Sequence, residues 1–150
     1  MAGILYSSAQ DSFKTKSKLT KKVKRALSNE GYSILNESVW PYFPNFVGLE
    51  HQLLSQKPVA VVLDLTSPDI VTDPTKFCDH IAEQARRLYG KRAPPIIVIV
   101  DTFKRGIQAM LGGAYDYIST EYDCMHSFRD ALVNTVNEAV LAIRPELQAA

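Results

Sequence analysis

Two cysteines in 150 residues, Cys78 and Cys124, are too few for a disulfide framework and too far apart for metal-ligand spacing. Both are expected as reduced thiols of a cytoplasmic protein, small buried hydrophobes more than redox centres. No apolar stretch approaches the roughly 20 residues of a membrane span. The segment Met1 to Leu5 has no basic run ahead of an apolar one, so no secretory leader is expected. Glycine is absent where it would cradle a phosphate: the first turn, Ser8-Ala9-Gln10-Asp11-Ser12, carries none, and no phosphate-loop motif occurs elsewhere. His51, His80 and His126 are scattered without ligand spacing, which points to surface roles. There is no internal repeat, no low-complexity tract and almost no excess of charge, the net being +1.

What is present suits one domain with a substantial core, since 150 residues are too few for two comfortable ones and 46% of them are hydrophobic. Val59 to Leu63 is a run of five apolar residues ending in Asp64 and a Pro68-containing turn. Such a run, rich in β-branched residues and bounded by turn signals, reads as a strand buried on both faces of a parallel sheet. Ile96 to Val100, after the break at Pro94-Pro95, reads the same way. Shorter strands are expected at Gly3–Ser8, Tyr32–Glu37 and Tyr115–Ser119. Between them, apolar residues recur at helical spacing: Leu19, Val23, Ala26 and Leu27 within Ser12–Ser28, then Phe77, Ile81, Ala85 and Leu88 after the Asp73-Pro74 start signal. A short helix over about Phe46–Ser55 follows an aromatic, proline-punctuated connection at 38–45. A helix over about Phe103–Leu111 is expected to bury Ile107, Met110 and Leu111. The last, about His126–Ile143, carries Phe128, Leu132, Val136, Ala139, Val140 and Ile143 on one side and stops at Arg144-Pro145. Strands alternating with helices predict a doubly wound five-stranded parallel sheet with helices on both faces, strand order 2-1-3-4-5. Residues 1–145 would form the domain, and 146–150 a tail or the start of a linker.

Three segments, in the right order and at fitting separations, resemble response-regulator receiver domains. They are Val59 to Pro68, Pro95 to Val100, and Gly112-Gly113-Ala114-Tyr115-Asp116-Tyr117-Ile118. The resemblance covers about Gly3 to Ile143 and implies the flavodoxin-like fold, with Asp64 as the phosphoacceptor equivalent at the carboxyl edge of the sheet. It also implies an acidic pair after the first strand to hold Mg²⁺, a hydroxyl residue ending the fourth strand and a lysine ending the fifth. Here the acidic pair aligns with Ser8 and Ala9, or with Ala9 and Gln10. The hydroxyl position aligns with Val100 and the lysine position with Thr120, followed by Glu121 in place of proline. The chain therefore resembles an atypical member, a pseudo-receiver: a non-enzymatic signalling module without a cofactor, acting by protein contact.

Two other readings fit the same residues. Asp11, Asp64 and Asp101 would meet at one sheet edge and could form a three-carboxylate Mg²⁺ site, leaving Asp64 phosphorylatable, with Thr66, Thr102, Ser119 and Thr120 near. Against this, Asp11 and Asp101 could simply cap the helices that follow them. Ser7, Ser8 and Ser12 could alternatively bind phosphate weakly in a flavodoxin-like ligand site.

Two surfaces are candidates for partners. Residues 12–28 hold seven basic side chains, Lys14, Lys16, Lys18, Lys21, Lys22, Lys24 and Arg25, and no acidic one. Such a stripe can steer an anionic partner, although without interleaved aromatics or a reading motif nucleic acid is not expected. Phe103, Lys104 and Arg105, with Tyr117, lie where the resemblance implies a dimer or effector face, made by the helix at 103–111, the last strand and the last helix.

Overall fold

Period-two alternation along the central strands splits the described residues into two cores on opposite faces of one sheet. The computed structural model describes residues 2–8, 18–39, 57–66, 72–120 and 125–149. Within them β1 (Gly3–Ser8), β2 (Ser33–Val39), β3 (Ala60–Asp64), β4 (Ile96–Val100) and β5 (Asp116–Ser119) pair in parallel, in the order β2-β1-β3-β4-β5. The expected strand order is the observed one. Leu5, Val61, Leu63, Val98 and Val100 face α2 (Pro74–Tyr89) and α3 (Phe103–Leu111), where Phe77, Cys78, Ile81 and Ala109 close the layer. Ile4, Tyr6, Val62, Ile97 and Ile99 face the other way, onto Val23 and Leu27 of α1 (Lys18–Asn29) and Leu132, Val136 and Val140 of α4 (Met125–Ile143). Each fully buried aliphatic side chain contributes about 1.5–3 kcal/mol, so both faces of the central strands are committed to packing.

Local signals place the helix ends. Asp73 accepts from Thr75 N at 3.0 Å and Pro74 takes the first turn of α2, where its missing N–H costs nothing. At α3 the cap is Thr102, which accepts from Arg105 N at 3.3 Å; Asp101, expected as a cap, is used otherwise. The strand expected to end at Glu37 continues to Val39. Pro145 stops α4, and a 3₁₀ turn at Pro145–Ala149 follows, with Arg92 paired to Glu146. The expected helix at 46–55, most of the aromatic connection, and residues 9–17 lie outside the described residues.

The largest correction concerns α3. Ile107, Met110 and Leu111, expected in the core, are 55%, 40% and 76% exposed, while Arg105, Gly106 and Ala109 are buried. The helix is turned about its axis so that its small residues, not its large ones, face its neighbours. A Cβ on Gly106 would lie 2.3 Å from the Tyr117 ring, and one on Gly112, just past the helix, 2.2 Å from the Thr75 carbonyl oxygen of α2. Close approach on that side leaves room only for glycine and alanine, and the bulky residues face outward.

Cys78 is on the buried side of α2, and that burial pushes its thiol up to about 12. Two results are expected. At about pH 8, where thiol reagents attack only the thiolate, mass spectrometry should find Cys78 unmodified in the native protein. The raised value also means that the folded state favours the neutral thiol. Its contribution to stability is thus complete below the ordinary thiol range and is lost as pH climbs toward 12. Chemical denaturation should show stability falling by up to about 1.4 kcal/mol per pH unit from this group in that window.

Candidate functional site

The carboxyl edge of the sheet gathers the residues that the sequence singles out. Parallel pairing of β1 and β3 sets Ser8 directly beside Asp64. Both are fully buried, and Ser8 Oγ donates to Asp64 Oδ2 at 3.0 Å. The chain then turns so that Thr66 donates twice to Asp64 Oδ1, from its backbone N at 3.0 Å and its hydroxyl at 2.7 Å. Asp64 therefore accepts from neutral donors on both carboxylate oxygens, as a buried carboxyl group requires.

The neighbouring positions are also engaged. Thr120 donates its backbone N to Val100 O at 2.9 Å, and its hydroxyl to the same oxygen at 3.3 Å, so the residue at the lysine position closes the end of β4. Val100 itself is buried and apolar. Asp101 does not join Asp64 in any described contact; its Oδ1 lies 2.8 Å from Arg105 Nε, a close charge contact more than an aligned hydrogen bond. Arg105 Nη2 donates to the Leu65 carbonyl at 2.7 Å. At 8% exposure Arg105 is not on the partner surface where it was expected; it bridges the ends of β3 and β4. No group of three His, Cys, Asp or Glu side chains able to hold a metal occurs among the described residues. Ala9, Gln10 and Asp11 lie outside them, as does Ser12.

Beside this edge, α3, β5 and α4 enclose an open groove of about 360 Å³. Phe103, Tyr117 and Phe128 line it with Asp116, Ser119 and Thr135, and Phe103 meets the Tyr117 ring edge-on at 6.4 Å. Lys104 is exposed at the start of α3, and the outward Ile107, Met110 and Leu111 continue the apolar surface along that helix. On the face of the sheet opposite α3, Lys21, Lys22 and Arg25 are exposed on α1. The groove and the outward apolar ridge were missed from sequence. The spacing of Gly106, Ala109 and Gly112, three residues apart, was the available signal that this side of the helix is the flat one.

Comparison with solved structures decides the fold. The receiver domain of a Francisella response regulator superposes over 96% of this chain and all of its own, with a TM-score of 0.63 at 15% identity. The fold is that of response-regulator receivers. NtrX from Brucella abortus matches 99% of this chain with 29% of its own length, at a TM-score of 0.64 and 20% identity. An atypical orphan response regulator, described as having a phosphorylation-independent regulatory mechanism, matches 90% of this chain and 95% of its own, with a TM-score of 0.59 at 14% identity. No family model matches the sequence, and no curated protein does. No helix among the described residues of this receiver fold is long and apolar enough to cross a membrane.

Proposed function

We propose that this chain is an atypical receiver, a pseudo-receiver, that transmits signals through protein contacts and not through conventional phosphorylation of Asp64. The observation that carries this reading is the state of Asp64: fully buried, with Ser8 on one carboxylate oxygen and Thr66 on the other. Magnesium needs several free oxygen ligands in near-octahedral array. The described groups fit that poorly: a serine donates where the family resemblance implies an acidic ligand, and Asp101 is spent on Arg105. No cofactor is assigned, and the domain is not read as an enzyme. The solved orphan regulator with a phosphorylation-independent mechanism lends this reading a structural parallel.

The partner is a protein, either an effector domain or a second copy, engaged by the face of α3, β5 and α4. The matches to only part of NtrX and to 61% of full-length FixJ from B. japonicum support an effector domain in the same regulator. The exposed basic side of α1 would supplement this with electrostatic steering of an acidic protein surface. The free, buried Cys78 fits a cytoplasmic setting.

Asp64→Asn tests the proposal. Asparagine keeps an oxygen for Thr66 and offers its amide N–H to the Ser8 hydroxyl, so stability should change by less than about 1 kcal/mol in urea titration, with partner binding unaltered. Amide NMR spectra should stay unchanged on adding Mg²⁺ and beryllofluoride, a mimic of the aspartyl phosphoryl group. Shifts at Asp64 that spread into α3 would instead establish a phosphorylated receiver with unusual neighbours.

A further inference from the structure

Helix α3 buries its arginine and exposes its aliphatic residues, the reverse of what an amphipathic helix does by itself. Something must hold it in that setting. The small residues Gly106 and Ala109 permit the close approach but do not enforce it, since the same helix carries Ile107, Met110 and Leu111 on its other side. The enforcing contact is Arg105. Its guanidinium is anchored at two points on the sheet edge, the Leu65 carbonyl at 2.7 Å and Asp101 at 2.8 Å. These anchors come from the ends of two adjacent strands, so they fix direction as well as distance, and a planar guanidinium suits such a two-point tie better than an ammonium.

We propose that Arg105 is a positioning residue for the α3 surface: tied to Leu65 and Asp101, it sets the rotation of the helix that keeps Ile107, Met110 and Leu111 outward. Without the tie, the helix turns its aliphatic side toward the sheet and the exposed ridge closes. Leu65 directly follows Asp64, so the tie also joins the Asp64 turn to the surface read above as the partner face. The functional consequence rests on that reading; the rotation of α3 does not.

Hydroxyl-radical footprinting with mass spectrometry reads the rotation with no partner present. Met110 reports the outward side, and Tyr6, fully buried in the other core, reports global folding. In Arg105→Met, Met110 oxidation should fall about tenfold if the inward setting takes nine-tenths of the population, while Tyr6 stays protected. Asp101→Asn should move in the same direction by less, and Arg105→Lys should recover part of the native rate. Native-like Met110 oxidation in folded Arg105→Met and Asp101→Asn overturns the proposal. If Arg105→Met alone exposes Tyr6, Asp101→Asn decides. Exposure of Tyr6 in both also overturns it, because the tie would then determine the fold and not the setting of one helix. A failed partner assay with the native footprint intact would count against the partner-face reading alone.

Discussion

Gly112→Ala should lower stability by about 3 kcal/mol, the upper end for overpacking a filled site, and drop the melting temperature by roughly 6–12 °C at this chain length. The reason is space and not conformation. Gly112 has φ −83° and ψ 0°, values that alanine adopts freely, and just past a helix it would ordinarily be neutral or better. Its Cβ, however, would stand 2.2 Å from the Thr75 carbonyl oxygen and 3.0 Å from Cys78 Cβ. The first of these is backbone in the opening turn of α2, so it cannot swing aside; α2 and α3 must separate. Thermal and urea denaturation measure the effect. A melting temperature equal to the native one would mean that the two helices have slack, and the account of why α3 faces as it does would lose its steric basis.

Leu111→Glu should do the opposite: little to stability and much to association. Leu111 is 76% exposed, so its replacement should alter folding free energy by no more than about 0.5 kcal/mol. If the ridge of Ile107, Met110 and Leu111 is where a partner or second copy docks, a charge on its most exposed residue should weaken binding at least about tenfold, or 1.4 kcal/mol. Analytical ultracentrifugation tests self-association, and titration calorimetry with a separately expressed effector domain of the kind proposed above tests the heterologous contact. Unchanged affinity in both would remove α3 from the interface and leave the basic side of α1 as the surface to examine.

The two variants test one feature from its two sides, and that feature is where sequence reasoning met its limit. The rule that places large aliphatic residues inward succeeds for α2 and α4, whose stripes at Phe77, Ile81 and Ala85 and at Leu132, Val136 and Val140 are buried. It fails for α3 because glycine and alanine let one side of this nine-residue helix come close to its neighbours, while Arg105 on that side is tied to Leu65 and Asp101. The same rotation moved Arg105 from an expected surface position into the bridge between β3 and β4. One misplaced helix face thus accounts for both errors.

At the candidate site, Asp64 was legible because a buried apolar run ending in a carboxylate has few other meanings in a parallel sheet. Its partners were less so. Ser8 was recognised as one candidate for the missing acidic position and as a weak phosphate ligand; that it would donate to Asp64 follows from the β1–β3 register, which no single strand encodes. Thr66 was near in sequence and was named among assisting hydroxyls, and its two bonds to Asp64 are local.

Sequence by itself determined the strand sequence and its parallel order, because two runs buried on both faces, separated by helices, admit few topologies. It also determined the position of Asp64 at the carboxyl edge. Tertiary structure alone decided which side of α3 faces solvent, where Arg105 goes, and what occupies the oxygens of Asp64. The physical reason is common to all three. Periodicity reports how much apolar surface an element can bury, whereas orientation and pairing depend on the room left by neighbours distant in the chain, here Tyr117, Thr75 and Ser8.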